Sequence, residues 1–322
     1  MKAIVYPEYG PPEVLRFQEM PQPSPADSEV LIRLHAASVN PLDFHQMRGH
    51  VRLVTGLRGP KQPILGCDIA GRVEAVGANV KVFRPGDEVF GVSGLAGGGF
   101  AEYVCVCDEK FALKPSNISF EDAAAVPIAG TTALQGLRDK GRIQPGQRVL
   151  VDGASGGVGT FSVQLAKSFG AEVTAVCSTS KLETARSIGA DYVIDYTHDD
   201  FTKRGECYDL ILGANAVHSL FDYRRALAPG GIYVMAGGGT KLRATLFAVL
   251  LCPILSMAGN NRMVFFVAKV TRDDLEFLRG LLETGKIRPV IDRCYRLADA
   301  AEAVRYLEGG HARGKVILRA EV

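Results

Sequence analysis

Arg148-Val149-Leu150-Val151-Asp152-Gly153-Ala154-Ser155-Gly156-Gly157-Val158-Gly159 is the stretch that decides the fold. An apolar strand runs into a glycine-rich turn, and Thr160 to Ser168 continues as a helix. That order sets unpaired backbone N–H groups and the positive end of a helix where a diphosphate would lie. The spacing, G-x-x-G-G-x-G, is a variant of the commoner dinucleotide fingerprint, and a tight turn that is merely rich in glycine would look the same in isolation. Its surroundings favour the nucleotide, because a second apolar strand, Glu172 to Cys177, begins roughly 20 residues further on. Ser155, Gly156, Gly157 and Val158 are therefore the expected diphosphate contacts.

Working outward, apolar strands alternate with helical segments: after Glu172 to Cys177 come Tyr192 to Ile194, Asp209 to Leu212 and Ile232 to Met235. Strands separated by helices of this length predict a doubly wound parallel sheet with right-handed crossovers. Gly170 and Gly189 are placed to stop two of the helices. On the N-terminal side the pattern changes to short strands punctuated by Gly and Pro, as in Glu29 to His35, Ala70 to Val76 and Glu88 to Val92. An antiparallel, barrel-like β domain is expected there, ending where Ser119-Phe120-Glu121-Asp122 reads as a capping box opening a helix. After residue 266 the pattern gives a helix over Asp273 to Glu283, a strand near Pro289 to Ile291, a helix over Asp299 to Leu307 and a last strand, Lys315 to Arg319.

The edge of the second parallel strand selects the nucleotide. A carboxylate there accepts hydrogen bonds from the adenosine ribose, whereas a 2′-phosphate needs donors and positive charge. The chain has Cys177-Ser178-Thr179-Ser180-Lys181, without a carboxylate, so NADPH is expected over NADH. Ser180 is equally placed to cap the following helix, and both roles are compatible.

Composition narrows the partners. Lys and Arg number 37 against 35 Asp and Glu, a balance that creates no broad positive field for nucleic acid or an anionic membrane. The N-terminus reads as a strand, not a secretory signal, and a cytoplasmic location is the expectation. Ala244 to Ala258 falls short of the roughly 18 residues a membrane span requires, and Pro253 interrupts it. A buried or pocket-lining helix is expected, with peripheral membrane contact as the alternative. The 7 cysteines follow no disulfide spacing and include no C-x-x-C pair. Cys105-Val106-Cys107 reads as two ordinary strand cysteines, and no metal site is expected.

Taken with Tyr9-Gly10-Pro11-Pro12-Glu13-Val14-Leu15, Ser38-Val39-Asn40-Pro41-Leu42-Asp43, Leu65-Gly66-Cys67-Asp68-Ile69-Ala70-Gly71, Pro85-Gly86-Asp87-Glu88-Val89-Phe90-Gly91, Gly130-Thr131-Thr132-Ala133 and Gly314-Lys315-Val316, the glycine-rich loop makes the chain resemble a family. It is similar, end to end, to the medium-chain dehydrogenase/reductase superfamily, and specifically to its zinc-lacking, ζ-crystallin-like quinone oxidoreductase branch. Zinc-dependent relatives carry a Cys near Ser38 to Asp43 and Gly-His-Glu at the place of Gly66-Cys67-Asp68; neither that Cys nor the His is present.

The resemblance implies a GroES-like substrate domain over 1–121 and 267–322, a Rossmann NADPH-binding domain over 122–266, and a nicotinamide held in the cleft between them. It further implies Asn40 and Thr131 near the nicotinamide, backbone from Ala236, Gly237, Gly238, Phe265, Phe266 and Val267 lining it, and Ser178, Lys181 and Tyr196 around the 2′-phosphate. Turn capping by Asn40, a plain helix hydroxyl for Thr131 and packing for Tyr196 are the alternatives. His45 stands where such reductases often carry a tyrosine, either as a hydrogen-bond or proton donor to the acceptor or as a surface histidine. The implied activity is zinc-independent hydride transfer from NADPH to a quinone, enal or enone, in a homodimer. A zinc-independent NADP-dependent alcohol dehydrogenase and a low-turnover NADPH-binding regulatory or structural protein are the rivals.

Overall fold

The computed structural model describes residues 1–94, 97–215, 217–236, 242–257 and 259–320, the side chains at 54 and 242–249 excepted. The chain divides into two compact units: Met1–Ile128 with Val270–Thr284 and Pro289–Val322, and Ala129–Lys269 with Gly285–Arg288.

In the first unit, β1 (Lys2–Val5) pairs with β2 (Arg16–Glu19). The main sheet contains β3 (Glu29–Val39), β4 (Asp68–Val76), β5 (Glu88–Val92), β6 (Tyr103–Cys107) and β7 (Phe111–Leu113). Ser119 opens the helix Phe120–Ala124 as expected, its hydroxyl accepting the Asp122 N–H while the Asp122 carboxylate reaches back. The sheet closes with two strands from the end of the chain, β14 (Ile291–Arg296) and β15 (Lys315–Arg319). β14 begins where the expected strand at 289–291 was to end, because Ile291 and Arg293 to Arg296 are the residues that pair with β15.

The order is β14-β15-β3-β4-β5-β7, with β6 also on β3. Register matters most at the far end of β3. Ser38 lies opposite Asp68 of β4 and opposite Ile317 of β15, so three strands bring polar residues from distant parts of the sequence to one place. Around them Ile4, Leu34, Phe44, Leu65, Ile69 and Phe100 form part of an apolar core, each side chain contributing about 1.5–3 kcal/mol by leaving water.

The second unit is built on six parallel strands in the order β10-β9-β8-β11-β12-β13, which is the Rossmann order. They are β8 (Arg148–Asp152), β9 (Glu172–Cys177), β10 (Tyr192–Asp195), β11 (Tyr208–Gly213), β12 (Leu227–Met235) and β13 (Arg262–Phe265). Val149, Leu150 and Val151 of β8 are fully buried, as a central strand covered on both faces must be. β13 was not read as a strand from the sequence; it has only four residues, and pairing with Ile232 to Met235 defines it. The helices between strands stop where Gly170 and Gly189 stand.

The apolar segment folds as the helix Leu242–Met257 with Pro253 inside it. Cys252 and Leu255 are buried, but Leu250 is 69%, Ile254 59% and Met257 88% exposed, so the expectation of a buried helix holds for one face only. Among the described residues no helix is long and apolar enough to cross a membrane.

Candidate functional site

The mouth of the parallel sheet lies where β8 ends, at the strand from which the order runs outward in both directions. In such a sheet ligands bind beyond the carboxyl ends of the strands at that reversal. Gly153 leaves β8 at φ 81°, a conformation only glycine adopts without strain, and a β-carbon there would sit 2.7 Å from Asn215. A β-carbon on Gly159 would meet the Gly153 carbonyl oxygen at 2.1 Å, so the helix Gly157–Ser168 packs directly on the turn that feeds it. Gly156 differs: a β-carbon there would find only the Gly153 oxygen, at 3.8 Å. The first intrahelical bond is Thr160 N to Gly156 O, 2.9 Å. The amides of Gly157, Val158 and Gly159 therefore stand ahead of the helical ladder, available to an anion at the positive end of the helix. Ser155, Gly156, Gly157 and Val158 are all partly accessible, which suits residues meant to touch a ligand.

Beneath this turn Asp152 is buried, and its carboxylate accepts a 2.5 Å hydrogen bond from the Tyr223 hydroxyl. Burial pushes its pKa up to about 6, against the Tyr223 hydrogen bond and the nearby His218, which pull it down. Tyr223 stacks on Tyr233 at 4.3 Å, so the carboxyl is anchored in an aromatic wall. In the sequence Asp152 stands only as part of the quoted stretch, with no role assigned.

The edge read from the sequence as selecting the nucleotide lies at the ends of β9 and β10, where Cys177 and Asp195 are register partners. Ser178 and Lys181 are half-buried and Ser180 is exposed; Tyr196 is 59% exposed, which removes packing as its role, and its N–H donates to the Cys177 carbonyl at 3.1 Å. Lys181, not Ser180, is the N-cap of the helix Leu182–Ser187, so the capping reading of Ser180 is corrected. The sequence reading also missed a carboxylate. Asp195 approaches the same edge from the neighbouring strand, held by the hydroxyls of Thr179 at 2.5 Å and Thr197 at 2.7 Å and by the Thr197 N–H at 3.0 Å. Those hydrogen bonds, that of Thr179 first, hold its pKa below the usual carboxylate range.

Thr131 lies in the helix Pro127–Leu134, fully buried, and its hydroxyl oxygen finds no hydrogen-bond partner among the described residues. Leaving a buried hydroxyl unpaired costs about 1–3 kcal/mol. Ala236 is buried beyond β12 with its N–H on the Gly213 carbonyl at 3.0 Å; Phe265 ends β13, Phe266 is half-buried and Val267 is exposed. Gly237 and Gly238 lie outside the described residues.

The first unit holds a compact buried polar cluster. The Asp68 carboxylate, 0% exposed, accepts from Ser38 Oγ at 2.8 Å, Asn40 Nδ2 at 3.1 Å and Lys315 Nζ at 3.1 Å on one oxygen, and from the Ile128 N–H at 2.9 Å on the other. Lys315, 4% exposed, also donates to Asn40 Oδ1 at 2.7 Å. Asn40 is the N-cap of the helix Pro41–Met47 in a capping box with Asp43, whose carboxylate takes the Asn40 N–H at 2.7 Å and the Gly66 N–H at 3.2 Å, while the Asn40 side chain also meets Asp68 and Lys315. Burial pushes Asp43 up to about 7, opposed by the Asn40 N–H, and burial likewise raises the Cys67 thiol well above its ordinary value. On the same helix His45 is half-buried with its Nδ1 3.0 Å from His50 Nδ1, and burial followed by the His50 charge lowers its pKa. Lys315 was quoted from the sequence only as part of a motif. A lysine opening the final strand, directly ahead of Val316, Ile317 and Leu318, was the available signal.

With both regions described, the comparisons fall into place. The family description "Alcohol dehydrogenase GroES-like domain" matches residues 26–116, and "Zinc-binding dehydrogenase" matches 188–318. A 2-methylene-furan-3-one reductase of Solanum lycopersicum is 36% identical over 99% of this chain and 79% of its own. The chain belongs to the medium-chain dehydrogenase/reductase superfamily, in its quinone oxidoreductase branch. An NADPH-dependent alkenal/one oxidoreductase of Arabidopsis thaliana is 34% identical over 99% of this chain and 79% of its own. The structure of the quinone oxidoreductase from Coxiella burnetii superposes with a TM-score of 0.86 at 30% identity, covering 100% of this chain and 99% of that one.

Membership of this superfamily raises two bound groups to test against the residues. Zinc does not fit: the Asp68 carboxylate is occupied by four donors, one of them an ammonium, and no cluster of three or more His, Cys, Asp or Glu suited to a metal occurs among the described residues. A nicotinamide dinucleotide does fit this dehydrogenase/reductase chain, because the glycine cradle would be filled by any β-carbon at Gly153 or Gly159 and Thr131 carries an unpaired buried hydroxyl.

Proposed function

We propose that the protein is an NADPH-dependent, zinc-independent reductase of quinones and α,β-unsaturated carbonyl compounds. The observation that carries this reading is the turn from Gly153 to Gly159, where backbone crowding demands glycine at both ends while the amides of Gly157 to Gly159 remain free of helical partners. Ser155 to Val158 would bind the diphosphate, and the Thr131 hydroxyl would gain its missing partner from the nicotinamide carboxamide. Ala236, Phe265, Phe266 and Val267 would flank the ring. When bound, the reduced nicotinamide supplies a hydride to an electron-poor carbon of the acceptor, and water returns the proton. His45 Nδ1 faces His50 Nδ1 at 3.0 Å, so Nε2 is the ring nitrogen that would donate to the acceptor oxygen. The names of the tomato and Arabidopsis relatives and of the Coxiella protein support the acceptor class.

NADPH is favoured by Ser178, Ser180, Lys181 and Tyr196 at the adenosine edge, a set of donors with one cation. NADH has Asp195 in its favour, but that carboxylate already takes three hydrogen bonds from Thr179 and Thr197. A homodimer is supported by β13, the open edge of the six-stranded sheet, beside the exposed Leu250, Ile254 and Met257.

The test is a fluorescence titration with both nucleotides, followed by NADPH oxidation against a panel of quinones, enals and enones. Tighter binding of NADPH than NADH is expected, and Lys181→Ala should weaken NADPH on the order of tenfold while leaving NADH unchanged. Equal affinity for the two nucleotides would sink the cofactor assignment, and no turnover with any acceptor would sink the reductase.

A further inference from the structure

Charge balances over the whole chain but not along it. Between Asp43 and Asp68 the sequence has no Asp or Glu, yet it holds Arg48, Arg52, Arg58 and Lys61. Arg48 is taken by Glu308 through hydrogen bonds of 2.9 and 2.8 Å. The others stand in the segment 50–61, where every exposed side chain among those described is a base or a leucine: His50, Arg52, Leu53, Leu57, Arg58 and Lys61. Leu53 is 90% and Leu57 70% exposed, so neither adds much burial to the fold that presents it.

The two leucines are held outward by a fixed turn. The Tyr9 hydroxyl donates to the Gly56 carbonyl at 2.7 Å and lies 2.9 Å from the Thr55 hydroxyl, and the Arg52 guanidinium sits 4.8 Å over the Tyr9 ring. The Lys61 N–H returns to the Thr55 carbonyl at 2.8 Å. Gly56 takes φ 129°, and a β-carbon there would lie 2.1 Å from the Gly59 oxygen, so the chain folds back tightly under the leucines. Of the acids in the segment packed beneath, Glu13 is paired with Arg305 and Glu8 is exposed, which leaves the three cations Arg52, Arg58 and Lys61 in excess.

A protein partner and a lipid surface ask for different residues. The core of a protein interface is depleted of charge and enriched in aromatic side chains, whereas this segment has no Phe, Tyr or Trp and interleaves its leucines with cations. At a bilayer surface, phosphates and acyl carbons lie within roughly 5–10 Å of each other in depth, so both residue types find partners at once. We propose that the segment 50–61 docks on an anionic phospholipid bilayer, with Leu53 and Leu57 entering the acyl boundary and Arg52, Arg58 and Lys61 meeting headgroup phosphates. The contact is peripheral and does not depend on the function proposed above.

The test is sedimentation of the full chain with vesicles of phosphatidylglycerol and phosphatidylcholine, and with vesicles of phosphatidylcholine alone. Binding to the first and not the second is expected, falling as salt is raised. Arg58→Gln with Lys61→Gln should weaken it on the order of twentyfold, about fivefold per cation. Leu53→Ser with Leu57→Ser should weaken it on the order of a hundredfold. Both pairs are exposed, so thermal midpoints should match the wild type. The chain has no tryptophan, so Leu53→Trp supplies a single reporter whose emission should shift to the blue on anionic vesicles alone, and this readout stands even where the serine variant folds poorly. A wild type that ignores anionic vesicles, a leucine pair whose loss changes nothing, or an unshifted tryptophan would overturn the proposal. Retention on soluble polyglutamate without vesicle binding would reassign the segment to an acidic protein, and a leucine-dependent dimer in lipid-free solution would reassign it to a second copy; either result also overturns it.

Discussion

The mouth of the parallel sheet and the polar cluster at the end of β3 use the same kinds of groups in opposite ways. At the mouth, the amides of Gly157 to Gly159 and the Thr131 hydroxyl find no partners among the described residues. In the cluster, Ser38, Asn40, Asp68 and Lys315 saturate one another almost completely. Unpaired polar groups cost stability and are repaid by a ligand, whereas paired buried charges hold a geometry and are ruinous to break singly. The first pattern suits a place where a ligand would bind, the second a rigid scaffold.

The contrast is broken most severely at the glycine turn. Gly159→Val should abolish nucleotide binding in a titration and destabilise the fold, since even a β-carbon would lie 2.1 Å from a backbone oxygen, whereas Gly156→Ala should fold normally because its nearest neighbour is 3.8 Å away. In the cluster, Asp68→Ala leaves the Lys315 ammonium buried without its carboxylate, and urea denaturation should show a loss of about 3–5 kcal/mol.

A smaller effect follows from Asp152, whose carboxyl is pushed by burial up to about 6 in the folded state, above the ordinary aspartate value of 3.8. The folded state then binds the proton more tightly than the unfolded one, so the stabilisation is full below about pH 4 and is lost as pH rises toward about 6. Compared with Asp152→Asn, which keeps an acceptor for Tyr223, the wild type should lose ~3 kcal/mol of stability across that window, measured by denaturation at successive pH values. Parallel curves for the two proteins would remove the assignment. The smallest expected change sharpens the contrast best: Thr131→Val should leave the free protein as stable or up to about 1 kcal/mol more so, yet weaken NADPH roughly fivefold. A stability loss would mean that the hydroxyl has a partner inside the protein.

Much of this was legible before any coordinates. Val149 to Val151 followed by Gly153 and Gly159 announces a buried strand, a crowded turn and a helix, because both the apolar run and the glycine requirement are local properties of backbone and side chain. The capping box at Ser119 and the stops at Gly170 and Gly189 are local in the same sense. β13 was hidden because its pairing partner on β12 lies about 30 residues away in the sequence, and a four-residue strand carries too little periodicity to declare itself. The exposed face of Leu242–Met257 was hidden for a related reason: an evenly apolar helix does not say which side will be covered.

What the sequence by itself determined is the order of strands and helices, the nucleotide turn and the family. What only the tertiary structure decided is which charges meet. Asp195 reaches the adenosine edge from a neighbouring strand, and Asn40, Asp68 and Lys315 converge from three strand ends separated by up to 275 positions. Electrostatics depends on distance through space and on burial, and neither quantity is written in the spacing of residues along a chain.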